Sequence, residues 1–283
     1  MKVAIMTDSN SGITQGEGKK NGIYVIPMPF NINGEDYFED IDLTQDEFYE
    51  KLMDNAEVMT SQPSVGALKK AWDDVLIDHD AIVYIPMSSG LSGSCQTAMM
   101  LADDHYVGKV FVVDAKRISV TQKRHVYDAL DMVDQGLSAQ EIYQKLSDTG
   151  MDASIYITVA TLEYLKKGGR LTPAVAAVGS MLRIKPVLTI QGEKLDLQGV
   201  ARTMKKARKD MIASIKKDIA ARGYKEYSLA VAYTYNREAA EDFKVEIEEA
   251  FPGIKVEYVE PLSLSISCHI GPDALAIALN KKI

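Results

Sequence analysis

Short apolar runs closed by small or polar residues alternate along this chain with stretches whose apolar residues recur at helical spacing. The runs predict buried strands over Lys2–Met6, Ala81–Ile85, Val110–Val113, Ser154–Val159, Tyr227–Tyr233 and Lys255–Glu260. Ile23–Ile32 is a further extended segment interrupted by Pro27 and Pro29, and Asn33-Gly34 after it signals a hairpin. Lys185–Ile190 and Lys194–Leu197 predict a second hairpin turning near Gln191-Gly192. Helical spacing predicts helices over Thr44–Met53, Val65–Ile77, Gln96–Ala102, Leu162–Lys167, Pro173–Leu182, Arg202–Ala221 and Arg237–Phe251. Two more lie in the middle of the chain: Asp114–Arg117 opens a long helix to about Val133, and another runs to about Ser147.

Caps sharpen several of these boundaries. Thr44 with Glu47 three residues on is a capping box. Ser64 caps the helix after Pro63, and Thr172 precedes a proline well placed at the first helical position. The order of strands and helices predicts an α/β fold whose first sheet is mostly parallel and Rossmann-like. Ser265–Pro272 and the apolar finish from Ala274 carry no periodic assignment.

The chain has 283 residues, 46% of them hydrophobic, enough for one large or two ordinary domains. No apolar run approaches the ~20 residues of a membrane-spanning helix. Met1–Asp8 reads as a strand entering a turn rather than a signal peptide. The two cysteines, Cys95 and Cys268, lack metal spacing and fit a cytoplasmic protein. Net charge is −8, unevenly spread: residues 1–150 hold 12 basic against 24 acidic side chains, the rest 20 against 16. That asymmetry argues against general nucleic-acid binding and places a domain boundary near Gly150.

The candidate chemistry centres on Pro86–Cys95. A strand leads into Ser88, Ser89, Gly90, Ser92, Gly93 and Ser94, and a helix follows. One serine would suffice as a cap. The additional hydroxyls, the two turn glycines and the free N–H groups of the helix start suit a carboxylate or a phosphate. Thr7–Gly12 lies at the carboxyl end of the first strand, where open parallel sheets bind ligands. In Thr60-Ser61-Gln62-Pro63-Ser64, Pro63 keeps Gln62 extended and Ser64 can cap alone, which leaves the Thr60 and Ser61 hydroxyls for an anion.

Other chemistries find less support. A hydrolase using Ser92 and His269 is conceivable, but Ser94 stands where a nucleophile elbow needs glycine, and no acid partner is evident. A Walker A loop is absent, and His79, His105, His125 and His269 form no ligand pair, so no metal is expected. The small side chains of Ala174, Ala176, Ala177 and Gly179 mark either close helix packing or room for a ligand. Arg202, Lys205, Lys206, Arg208 and Lys209 at one helix start read as a solvated face.

Taken together, Thr7-Asp8-Ser9, Thr60–Ser64, Ser88–Ser94, Gly168-Gly169-Arg170, Ala201-Arg202-Thr203 and His269-Ile270-Gly271-Pro272 resemble the DegV family of bacterial fatty-acid-binding proteins, over essentially the whole chain. The resemblance implies two α/β domains, 1–150 with the head-group loops and 151–283 with the basic helix, and a long-chain fatty acid such as palmitate in a tunnel between them. It implies a carrier rather than an enzyme, without a cofactor. The carrier would present the carboxyl to a separate fatty acid kinase, which makes acyl phosphate for phospholipid synthesis, and would touch membranes transiently to exchange lipid. Thr60 and Ser92 match the carboxylate-binding hydroxyls, with Ser61 beside them. Gly93 and Ser94 match backbone donors, and Arg170 and His269 match the polar network around the head group. Arg202 matches a kinase-docking position, and the small-residue helix becomes a candidate tunnel wall. Ala115, Thr121 and Asp273 depart from the family pattern, Asp273 standing where glycine is expected.

Overall fold

The computed structural model describes residues 2–54, 56–179, 184–192 and 195–283. The chain opens with β1 (Val3–Asp8), α1 (Gln15–Asn21) and β2 (Ile23–Ile26). β3 (Pro29–Ile32), β4 (Glu35–Phe38), α2 (Gln45–Met53) and β5 (Val58–Thr60) follow. α3 (Val65–Leu76), β6 (Ala81–Ile85), α4 (Ser94–His105) and β7 (Val110–Val112) come next. Strands β2-β1-β6-β7 form a parallel sheet, while β4-β3-β5 form a small antiparallel one.

Both faces of the parallel sheet are covered, which is why β6 is apolar at every position. Ile82 and Tyr84 point toward α3 and α4, where Trp72 packs against Tyr84 and Tyr106. Ala81, Val83 and Ile85 point the other way. There they meet α5 (Ser119–Asp134) and α6 (Ala139–Asp148).

The remaining elements are β8 (Ala153–Thr158), α7 (Glu163–Lys167), α8 (Pro173–Val178), β9 (Lys185–Ile190) and β10 (Leu195–Ala201). After them run α9 (Met204–Arg222), β11 (Tyr227–Tyr233), α10 (Arg237–Ala250), β12 (Val256–Pro261), α11 (Leu264–Ile270) and β13 (Leu275–Lys281). Their strands form a six-stranded sheet ordered β10-β9-β8-β13-β11-β12, in which β11 and β12 pair in parallel and the other described pairs are antiparallel. One face packs on α9 and α10. The other gathers Ile155, Ile157, Leu188 and Ala276 with Met87, Ile118 and Val120 from the first half of the chain. The two halves also meet through Lys123 of α5. Its buried ammonium lies 2.9 Å from Glu17 of α1 and 2.9 Å from Glu260 of β12.

Several sequence expectations hold closely. Thr44 and Glu47 form the capping box, and Ser64 accepts from Ala67 N at 3.1 Å. Asn33 (φ 53°) and Gly34 (φ 89°) turn β3 into β4 through the left-handed conformations such a hairpin needs. Others change. Ile23–Ile32 divides between two sheets at Pro27, which cannot donate to a ladder. Asp114–Arg117 does not open a helix, because fully buried Arg117 is drawn to Thr149 O (2.9 Å), Gly150 O (3.1 Å) and Asn280 Oδ1 (3.1 Å), and α5 starts only at Ser119. Thr121 closes that start by donating to Ile118 O at 2.7 Å, and Ala115 is fully buried. Asp273 adopts φ 59°, the region where glycine was expected.

Two further expectations concern helix ends and faces. In α8, Val175 faces the core while Ala174, Ala176, Ala177 and Gly179 face solvent, so these small residues neither pack closely nor wall a tunnel. The expected extension to Leu182, like Lys194 of the hairpin, lies outside the described residues. Arg202 precedes α9 instead of starting it, since Thr203 is the cap and accepts from Lys206 N at 3.2 Å. Ser265–Pro272 supplies most of α11, and the apolar finish becomes a central strand.

Candidate functional site

Parallel pairing brings the carboxyl ends of β1 and β6 side by side, with Thr7 opposite Ile85. Buried Asp8 ties their loops together. It accepts from Met87 N (2.8 Å), Asn10 N (3.1 Å) and Gln122 Nε2 (3.0 Å). Burial pushes its pKa from 3.8 to about 6, against the pull of those donors. Asp8 therefore shapes the loops without lining the cavity they border.

The serines of the next loop divide their work. Ser88 Oγ donates to Gly192 O at 2.5 Å. Ser89 bonds Asp114 through both N (3.1 Å) and Oγ (2.5 Å). These two fix the loop. Ser92 Oγ accepts from Ser94 N at 3.2 Å and donates to Ser94 Oγ at 3.0 Å. Gly93 precedes α4 and offers no side-chain cap, so beyond the Ser94 N–H bound to Ser92 the helix N-terminus keeps donors for an anion.

A cavity of about 230 Å³ lies beside this loop. Its polar lining comes from Thr60, Ser61, Gln62, Ser92, Gly93, Arg170 and His269, with Asn10 and Ser265. Its apolar lining comes from Met28, Met87, Leu91, Ile118, Leu165, Ile190, Leu195, Ile266 and Ile270. Of the sequence candidates, Thr60, Ser61, Ser92, Gly93, Arg170 and His269 thus meet at one cavity, while buried Ser94 stands behind Ser92. Arg202 is elsewhere, exposed, in a surface hollow with Thr161 and Lys185.

Thr60 Oγ1 and His269 Nε2 are 2.8 Å apart, joining β5 to α11. Burial, helped by the positive charge of Arg170, lowers the His269 pKa from 6.5 to about 4, so the ring is neutral near pH 7. Gly168 packs against this ring so closely that a Cβ there would overlap it. Arg170 Nη1 donates to Gly168 O at 2.7 Å, which holds the guanidinium near the cavity. The ring's Nδ1 has no partner among the described residues, and its Nε2 is engaged by Thr60 rather than by Ser92. The geometry of a Ser92–His269 nucleophile pair is therefore not assembled here.

Sequence reasoning gave no role to Asn10, Ser265 or Met28. Asn10 Oδ1 accepts from Ser263 Oγ (3.0 Å) and Ser265 Oγ (2.6 Å), linking the loop after β1 to α11. Its place at the carboxyl end of the first strand was the available signal. Among the described residues, no group of three or more His, Cys, Asp or Glu side chains could hold a metal ion. No described helix is long and apolar enough to cross a membrane.

Comparison with known proteins decides the family. Residues 2–282 match the family described as "Uncharacterised protein, DegV family". The chain belongs to the DegV family. A DegV domain-containing protein of Staphylococcus aureus is 30% identical over 99% of both chains. Among solved structures, a fatty-acid-binding DegV family protein from Thermus thermophilus superposes with a TM-score of 0.90 at 29% identity, covering 100% of both chains. DegV of Bacillus subtilis, a fatty acid binding protein, gives 0.88 at 27%, again covering 100% of each. The fold expected from the sequence, α/β with a parallel first sheet, is the DegV fold found here.

Proposed function

We propose that this DegV protein binds one long-chain fatty acid, holds its carboxylate among Thr60, Ser61, Ser92, Gly93, Ser94, Arg170 and His269, and encloses its acyl chain along the apolar lining. The observation that carries this reading is a single cavity in which hydroxyls, a helix N-terminus and Arg170 meet an otherwise apolar wall. Charge-assisted bonds orient the head, and the tail supplies most of the affinity at ~0.8 kcal/mol per buried methylene. The fatty-acid-binding descriptions of the Thermus and Bacillus structures support the choice of ligand.

In this reading residues 1–150 and 151–283 act as two domains with the ligand between them. The protein is a cytoplasmic carrier without a cofactor. A separate fatty acid kinase phosphorylates the presented carboxylate, the acyl phosphate feeds phospholipid synthesis, and lipid is exchanged by transient contact with membranes. A Ser92-dependent hydrolase is the weaker reading, since His269 pairs with Thr60.

Native mass spectrometry followed by denaturing lipid extraction tests the proposal. One fatty acid per chain is the expected result. A protein that carries none, and takes up neither palmitate nor oleate, would overturn it.

Arg202 provides a separate prediction about the partner. It is exposed just before α9, with exposed Lys205 in the first turn and exposed Lys209 in the second. Cations there oppose the helix dipole, so fold stability does not account for them. Arg202→Ala should leave palmitate binding near wild type and slow phosphorylation by the cognate kinase, with a defect that shrinks at high salt. Kinase turnover against carrier concentration, run beside a binding titration, decides the matter. An equal loss of lipid binding would move Arg202 into the ligand site.

A further inference from the structure

α11 forms one wall of the cavity through Ser265, Ile266, His269 and Ile270. By sequence it belongs with the six-stranded sheet, since it runs between β12 and β13. Yet it is gripped along its length by the small sheet and α2. Near its end stands the Thr60–His269 contact. At its middle, the Tyr49 hydroxyl of α2 donates to Ser267 Oγ at 2.9 Å. At its start, Leu264 N and Ser265 N donate to the two oxygens of Glu39, at 2.8 and 3.0 Å.

Glu39 directly follows β4 and is only 6% exposed. Its own N–H donates to the carbonyl of Met28, another wall of the cavity, at 3.1 Å. It therefore bridges the same two units as Thr60 and His269, about one helical turn away. Ser263 already caps α11 by accepting from Ile266 N at 3.3 Å. Desolvating a carboxylate is a costly way to satisfy two more N–H groups, so capping alone is a poor account of Glu39.

We infer that Glu39 is a positioning residue for the head-group site, fixing the reach of α11 toward β5 and with it the place of His269 beside Thr60. The ligand side of this inference rests on the fatty-acid reading; its geometric side does not.

The groups that face Glu39 keep its signal separable. Asp40 neighbours it in the chain, Tyr49 faces it from α2, and Cys268 faces it from α11. Burial raises Glu39 from 4.5 to about 7, against its two N–H donors and with help from the Asp40 charge. Burial also raises Tyr49, and lifts the Cys268 thiol to about 12, so both stay neutral through the Glu39 step. Asp8, at about 6, titrates one loop away and reports on Met87 N instead.

The test is an NMR titration of the ligand-free protein from about pH 5.5 to about 8.5, following the Leu264 and Ser265 amides and the His269 ring nitrogens. All should share one step near neutrality, and Glu39→Gln should remove it while the Met87 amide keeps its own. Calorimetry with decanoate should show Glu39→Gln weakened about tenfold. Phe243→Leu, a core change on the buried face of α10, should keep both the His269 step and the affinity. A His269 ring that ignores the Glu39 step, or a Glu39→Gln protein that binds decanoate like wild type, would overturn the inference. If Glu39→Gln does not fold, the wild-type titration decides. Wild-type protein that binds no decanoate and no palmitate sinks the fatty-acid reading and leaves the His269 titration to decide the role of Glu39.

Discussion

A Thr60→Val, Ser92→Ala double variant should lose fatty-acid affinity by about a hundredfold or more while keeping its fold. Each hydroxyl lost from a bond to a charged group costs roughly 1–3 kcal/mol. The two losses will not add fully if both hydroxyls reach one carboxylate. Valine preserves the shape of threonine, so β5 and its pairing with β3 remain. Ser92 bonds only Ser94 among the described residues, and Ser94 also carries its own backbone into α4. Thr60→Val also leaves His269 Nε2 without its partner, so thermal unfolding should drop modestly while the fold is kept. The comparison is a palmitate titration of wild type, each single variant and the pair. A double variant that binds as tightly as wild type would remove both residues from the site. A hydrolase would behave differently, with Ser92→Ala ending ester turnover while substrate still bound.

The second large effect is on stability. The Lys123 side chain is 3% exposed, and its ammonium sits between Glu17 and Glu260 at 2.9 Å from each. Lys123→Ala leaves two carboxylates facing one another without their shared cation, and opens space beside the Tyr258 ring over which the ammonium lies. Breaking a fully buried pair costs about 3–5 kcal/mol. Both glutamates keep access to water, so roughly 2–3 kcal/mol is the expected loss of unfolding free energy, read from denaturant midpoints. Glu17→Gln alone should cost less, because Glu260 still neutralises the lysine. A loss below about 1 kcal/mol would show that Lys123 is not a joint between the two halves.

The loops at the carboxyl ends of β1 and β6 were legible because their signals are local. Apolar runs end in Thr7-Asp8 and in Pro86–Ser94, and a parallel sheet places both at one edge. Cap residues likewise marked helix starts, and where charge was allowed to outvote a cap the boundary slipped: Thr203, not Arg202, sets the start of α9. What failed was fixed by distant partners. Asp114–Arg117 looks helical until Thr149, Gly150 and Asn280 bind the Arg117 guanidinium. Composition named the small residues of α8 but could not say which way they face, and they face water. Glu39 sits in an acidic surface-like stretch beside Glu35, Asp36 and Asp40, and its bonds lie 225 and 226 residues away. No local pattern announces such a contact.

β13, which follows the other described strands in the chain, sits inside its sheet, between β8 and β11. Until it leaves the ribosome, the strands that flank it have no common neighbour, and the sheet waits as two pieces, β10-β9-β8 and β11-β12. The parallel sheet has all its strands by β7 and its covering helices by α6, and is free to form earlier in synthesis. The wall that carries Ile190, Leu195 and His269 is therefore the late one. A nascent chain therefore holds the serine loop before it holds a closed cavity.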